Sequence, residues 1–135
     1  MGYVGSFNWD TDTPVFVFTQ QLASAEKYIA EAASHEVGHS LGLNHDGLTG
    51  ANATEYYGGQ GDWAPIMGVS YYRSVTQFSK GEYANANNLE DDLAIISTYI
   101  PYATDDHGNT TLTASTLTVN TSGVVSDGGT IERST

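Results

Sequence analysis

The chain contains no cysteine, which excludes disulfides, thiolate metal ligands and cysteine nucleophiles. Cations are nearly as scarce: four Lys and Arg stand against sixteen Asp and Glu, a net charge of −12. Nucleic-acid binding needs clustered cations to displace phosphate counterions, so this balance argues against a nucleic-acid partner. It argues equally against docking on an anionic membrane surface. No apolar run approaches the roughly 20 residues that span a bilayer. Met1–Phe7 lacks both the basic region and the apolar stretch of a signal peptide. At 135 residues the chain suits one ordinary domain, or a small one with an appendage. That length is enough to bury about two-thirds of the unfolded surface.

What is present is unevenly distributed. Val15-Phe16-Val17-Phe18 is a continuous β-favouring run that reads as a strand buried on both faces, and Gly2–Phe7 as a shorter one. The loop between them holds Asp10 and Asp12. Without further acidic ligands or an EF-hand glycine, that pair reads as a solvated turn rather than a calcium site. Ser24 offers a helix N-cap with Glu26 in the first turn. Tyr28, Ile29, Ala32, Ala33, Val37 and Leu41 then recur at helical spacing, so a helix is expected over Ala25–Leu41, stopped at Gly42. Residues 44–70 are rich in Gly, Asn, Asp and Tyr without a period and read as a long ordered loop. A second helix is expected from Asn87 or Asn88, with Leu89, Leu93, Ile96 and Ile100 as its stripe and Pro101 as its end. From Ala103 the composition changes: nine of the last 33 residues are Thr and four are Ser, which favours a solvated linker. Leu112–Val119 offers the alternative of an opening strand of a further β domain.

One segment bears on function: His35-Glu36-Val37-Gly38-His39-Ser40-Leu41-Gly42-Leu43-Asn44-His45-Asp46. On a helix, His35 and His39 lie about 40° apart around the axis, so two imidazoles can reach one ion. Gly42 permits a sharp turn with positive φ, which brings His45 back as a third nitrogen ligand. Three protein ligands leave a fourth position open, the mark of a catalytic rather than a structural Zn2+ site. Glu36 can aim at that position without ligating and serve as a general base. Three of the four histidines fall in this segment. Chance placement of three His, one Glu and one Gly at these offsets has odds on the order of one in 10⁵.

The spacing resembles the HExxHxxGxxH motif of the metzincin clan of zinc endopeptidases. The resemblance implies a methionine turn under the metal. Pro65-Ile66-Met67-Gly68 follows 22 residues after His45 and fits it, Met67 being the sole internal methionine. Met67 would form a hydrophobic floor and not a ligand. Asp46, directly after the third histidine, resembles the adamalysin and snapalysin types, where the acid supports the site from behind the ligands. Gln77–Tyr83 and Asn87–Leu93 look like secreted bacterial metzincins that carry C-terminal β domains. Gly128-Gly129-Thr130-Ile131-Glu132 looks like the beginning of such a domain.

The resemblance covers roughly residues 1–102 and implies the C-terminal portion of a catalytic domain, since only 34 residues precede His35. The fold expected is α+β: a zincin-like partial domain with few strands, an active-site helix and a C-terminal helix, followed by a Thr/Ser-rich tail over 103–135. Some metzincins carry a tyrosine two residues after the Met. Position 69 is Val here, and Tyr71 and Tyr72 are expected to pack against the core. His107 reads as a linker histidine. The function implied is that of a secreted zinc endopeptidase acting on protein or peptide substrates. The alternative is a zinc-binding but inactive adhesion or recognition module, against which the intact Glu36 weighs.

Overall fold

The computed structural model describes residues 1–130. The described residues divide into two units, 1–100 and from 101 onward. The first is a small α+β assembly. A 3-10 turn over Thr19–Leu22 leads to helix α1, Glu26–Ser40. Strands β1, Trp63–Pro65, and β2, Val75–Gln77, pair in parallel, and helix α2 spans Asp92–Tyr99.

Helix α1 begins one residue later than expected and is not capped by Ser24. Ala23 and Ser24 both take left-handed φ of 53° to reverse the chain after the 3-10 turn. That conformation removes Ser24 from the extended geometry an N-cap needs. Ala25 takes the position with no side-chain hydrogen bond. The other end follows the sequence. Gly42 adopts φ 102°, the Leu43 amide donates to Gly38 O at 3.0 Å, and the Gly42 amide donates to His39 O at 2.9 Å. These two bonds satisfy carbonyls that a helix end would otherwise leave open.

Neither expected N-terminal strand forms. Residues 2–7 lie along the end of α1, where the amides of Gly5 and Phe7 donate to His39 O and Ser40 O, each at 2.9 Å. Helix carbonyls therefore satisfy donors that a sheet edge would have offered to an extended peptide. The 15–18 run makes one backbone exchange, between Phe16 and Met1. Isolated pairing of that kind builds no ladder, and Phe16 and Phe18 remain exposed. Helix α2 likewise starts at Asp92, not at Asn87 or Asn88. Asp91 is its cap, its side chain accepting from the Ala94 amide at 3.1 Å. Asn88 and Glu90 are occupied elsewhere: Glu90 accepts from the Asn44 side chain at 2.6 Å and from Asn88 at 3.0 Å. Leu89 is left outside the helix and exposed.

The core sits between α1 and the loop that joins β1 to β2. Leu43, Ala64, Pro65 and Met67 are fully buried. Sealing a Leu or Met side chain from water contributes about 1.5–3 kcal/mol. Helix α1 reaches this loop and strand β2 through Glu31, whose carboxylate accepts from Ser70 Oγ at 2.7 Å and Thr76 Oγ1 at 2.9 Å. Burial pushes the Glu31 carboxyl up, but these bonds and the one from Lys27 more than offset it, and its pKa lies below the ordinary value. Val37, expected on the buried stripe, is exposed.

In the second unit, residues 101–130 contain no regular helix or strand, so Leu112–Val119 is not a strand. His107 is held locally by Ser115 Oγ at 2.7 Å and Gly128 O at 3.0 Å. Ile131 and Glu132, part of the expected domain opening, lie outside the described residues. Among the described residues no helix is long and apolar enough to cross a membrane.

Candidate metal centre

The three motif histidines come together as the spacing requires. His35 and His39 project from α1, and the Gly42 turn returns His45 to them. One ligand nitrogen from each lies within 4.8 Å of the others, so the set can hold a metal ion. Each ring is oriented through its other nitrogen. His35 Nδ1 meets Ile66 O at 2.8 Å, His39 Nδ1 meets Leu43 O at 2.8 Å, and His45 Nδ1 meets a Glu55 carboxylate oxygen at 2.7 Å. Backbone carbonyls and an ionised carboxylate only accept, so each Nδ1 carries the hydrogen.

That assignment tests the fit of a cation. In neutral rings with hydrogen on Nδ1, every Nε2 presents a lone pair. His39 Nε2 and His45 Nε2 face each other at 2.9 Å. Two lone pairs at that distance repel unless a proton or a metal ion lies between them. Burial lowers the His35 pKa, and the neighbouring His39 and His45 lower it further. The chemistry of the donor set thus fits a soft-to-borderline divalent ion with nitrogen ligands.

Glu36, one residue after the first histidine, lines a cavity of about 390 Å³ with His35, Tyr56, Gly68, Val69 and Tyr71. Its carboxylate accepts from the Gly2 amide at 2.5 Å and pairs with the Met1 amino group at 3.1 Å. Tyr71 does two things at once. Its ring packs 5.4 Å from that of Tyr28, as a core tyrosine would, and it borders the cavity. Tyr72 is exposed against the edge of Tyr28.

Met67 lies fully buried beneath α1. A Cβ on Gly38 would stand 2.6 Å from Met67 Sδ, so the glycine between the two helix histidines is what admits the thioether. Asp46 anchors the same region from its far side. Its amide donates to Met67 O at 2.9 Å, its carbonyl accepts from Tyr57 at 2.7 Å, and its carboxylate accepts from Ser79 Oγ at 2.7 Å. Burial raises the Asp46 pKa against the pull of the Ser79 and Tyr83 hydroxyls.

Glu31 and Glu55 belong to no motif in the sequence, and Ser79 and Asp92 stand there only within the Gln77–Tyr83 and Asn87–Leu93 segments. Glu31 stands one turn before His35, a signal that helical spacing could have supplied. Nothing local marks the others. Asp92 is completely buried and accepts from the Ser79 amide at 2.9 Å. Its Oδ1 is the buried side-chain oxygen without a partner among the described residues. Burial, with Asp46, Glu90 and Asp91 adding to it, pushes the Asp92 pKa up to about 7. A carboxyl whose pKa is raised on folding favours the folded state below its unfolded pKa and loses that contribution as pH rises to about 7. Asp92→Asn, which imitates the protonated acid, should therefore melt at the same temperature as wild type near pH 4. At pH 8 it should melt several degrees higher, with a ceiling of about 4 kcal/mol. Equal melting temperatures at both pH values would refute the assignment.

Compared with protein-family models, with curated proteins and with solved structures, the chain matches none.

Proposed function

We propose that this chain carries the metal centre of a zinc-dependent endopeptidase, with His35, His39 and His45 as ligands and Glu36 as general base. The observation that carries the metal reading is the pair of Nε2 atoms 2.9 Å apart on rings whose Nδ1 atoms are already committed. Held by His35, His39 and His45, a zinc ion would supply the Lewis acidity that makes water a nucleophile near neutral pH. Around it, this chain's residues divide the labour. Glu36 accepts the proton of the attacking water and delivers it to the departing amine. The cavity beside Glu36, walled by Tyr56, Val69 and Tyr71, receives a side chain of the peptide. Met67 and Asp46 keep the α1 end and the His45 loop at a constant separation. A partner that is a protein or peptide suits a surface whose net charge of −12 repels nucleic acid and anionic lipid. The HExxHxxGxxHD spacing and Met67 support assignment to the metzincin type, and the likeness of Gln77–Tyr83 and Asn87–Leu93 to secreted bacterial members supports export from a bacterial cell.

The test is metal content followed by proteolysis. Dialysed protein should hold one zinc per chain, and retention should fall in acid, because protons compete with the metal for the ring nitrogens. Cleavage of an unfolded protein should cease with a chelator and return with added zinc. Zinc retention without hydrolysis would favour the recognition-module reading. Failure to retain zinc would end both.

A further inference from the structure

The contact between His45 and Glu55 has no counterpart at the other two histidines, whose Nδ1 atoms meet backbone carbonyls. The loop is built to deliver it. Leu48 and Thr54 exchange both backbone hydrogen bonds, at 2.8 and 3.1 Å, which folds residues 48–54 back on themselves. The Tyr57 amide donates to Asp46 O at 2.7 Å, continuing the antiparallel approach. Gly47 makes room: a Cβ there would come within 2.6 Å of Glu55 O. Tyr56 then lays its ring 4.3 Å from that of His45. Glu55 is itself largely exposed, so nothing in the core calls for a carboxylate at this place.

From this geometry we infer that Glu55 is a positioning residue for the third metal ligand: its carboxylate holds the hydrogen on His45 Nδ1, fixes the ring plane and presents Nε2 to the ion. The inference rests on the metal reading above. All three rings are held through Nδ1, but His35 and His39 stand on a helix and meet backbone carbonyls, whereas His45 stands on a loop and a side chain selects its tautomer. A carboxylate does this better than a carbonyl because its charge also favours the polarised, metal-bound form of the ring. Glu55 does not touch substrate in this scheme and acts only through His45.

The experiment uses the whole chain, with zinc as the probe. Glu55→Ala should weaken the zinc Kd by roughly 10- to 100-fold. Glu55→Gln should weaken it less, because the amide oxygen still accepts from Nδ1–H. The metal-free melting temperature of both should stay within about 3 °C of wild type, as for an ordinary surface change. In zinc-loaded protein, long-range proton–nitrogen spectra should show His45 with its hydrogen on Nδ1, and Glu55→Ala should lose the downfield, hydrogen-bonded proton. A Glu55→Ala Kd within about twofold of a measurable wild-type value would overturn the inference and leave the metal reading standing. Equal losses in the Ala and Gln variants, together with a lowered metal-free melting temperature, would assign the effect to loop folding and also overturn it. Absence of zinc binding in wild type would defeat the metal reading, and this inference with it.

Discussion

Glu36→Gln is expected to lower peptide hydrolysis by roughly 10²–10⁴-fold, the range for losing a positioned acid–base group, and to leave zinc stoichiometry unchanged. The substitution keeps shape and nearly keeps volume. Its amide oxygen still accepts from the Gly2 amide, which meets the Glu36 carboxylate at 2.5 Å, so the side chain stays against the cavity wall. What it loses is the capacity to take a proton. The three histidines are not its hydrogen-bond partners, and their own orienting contacts run to Ile66, Leu43 and Glu55. Glu36→Asp should fall less but still heavily, since shortening by one methylene moves the carboxylate by about 1 Å. The measurement reads peptide hydrolysis and zinc content on the same folded, zinc-loaded protein. Equal rates for wild type and Glu36→Gln would exclude this chemistry.

The second large effect is expected at His39. Among the three ligands it is the most buried, at 7% exposure, and it sits between the other two rings at 4.7 and 4.6 Å. His39→Ala leaves two ligands and removes the partner that His45 Nε2 faces at 2.9 Å. Apparent zinc binding of 10–16 kcal/mol over a full ligand set implies about 3 kcal/mol per ligand, a loss of roughly 10²–10³-fold in affinity. Metal-free stability should fall too, because Leu43 O loses its 2.8 Å donor and a buried ring becomes a void. Equilibrium dialysis separates the two effects, since it reads zinc on protein already shown to be folded by circular dichroism. Zinc held by His39→Ala as tightly as by wild type would refute the ligand assignment.

How much of this was legible beforehand depends on the range of the interaction involved. The fifteen residues of α1 follow from local periodicity, and the Gly42 turn follows from the one residue that takes φ 102° at no steric cost. The position of α2 departs from the local signals for an equally physical reason. Asn88 and Glu90 have helix-start chemistry, but Glu90 serves Asn44, 46 residues away, and Asp91 caps instead. The Val15–Phe18 run has strand composition, yet a strand exists only where a neighbour supplies a ladder, and Met1 supplies a single exchange.

The sequence by itself determined the cluster of His35, His39 and His45 and the place of Glu36 beside it, because spacings of one and four residues on a helix, plus one glycine turn, are local geometry. It also determined the methionine that fills the space above Gly38 and the acid that follows His45. Only the tertiary structure decided which groups hold these in place. Glu31 with Ser70 and Thr76, Asp46 with Ser79, and His45 with Glu55 join positions 39, 45, 33 and 10 residues apart. Such pairings depend on where loops close. Closure is set by the burial of Leu43, Met67 and Pro65 and by the fit of glycines at close backbone approaches, quantities that belong to the packed chain and to no short segment of it.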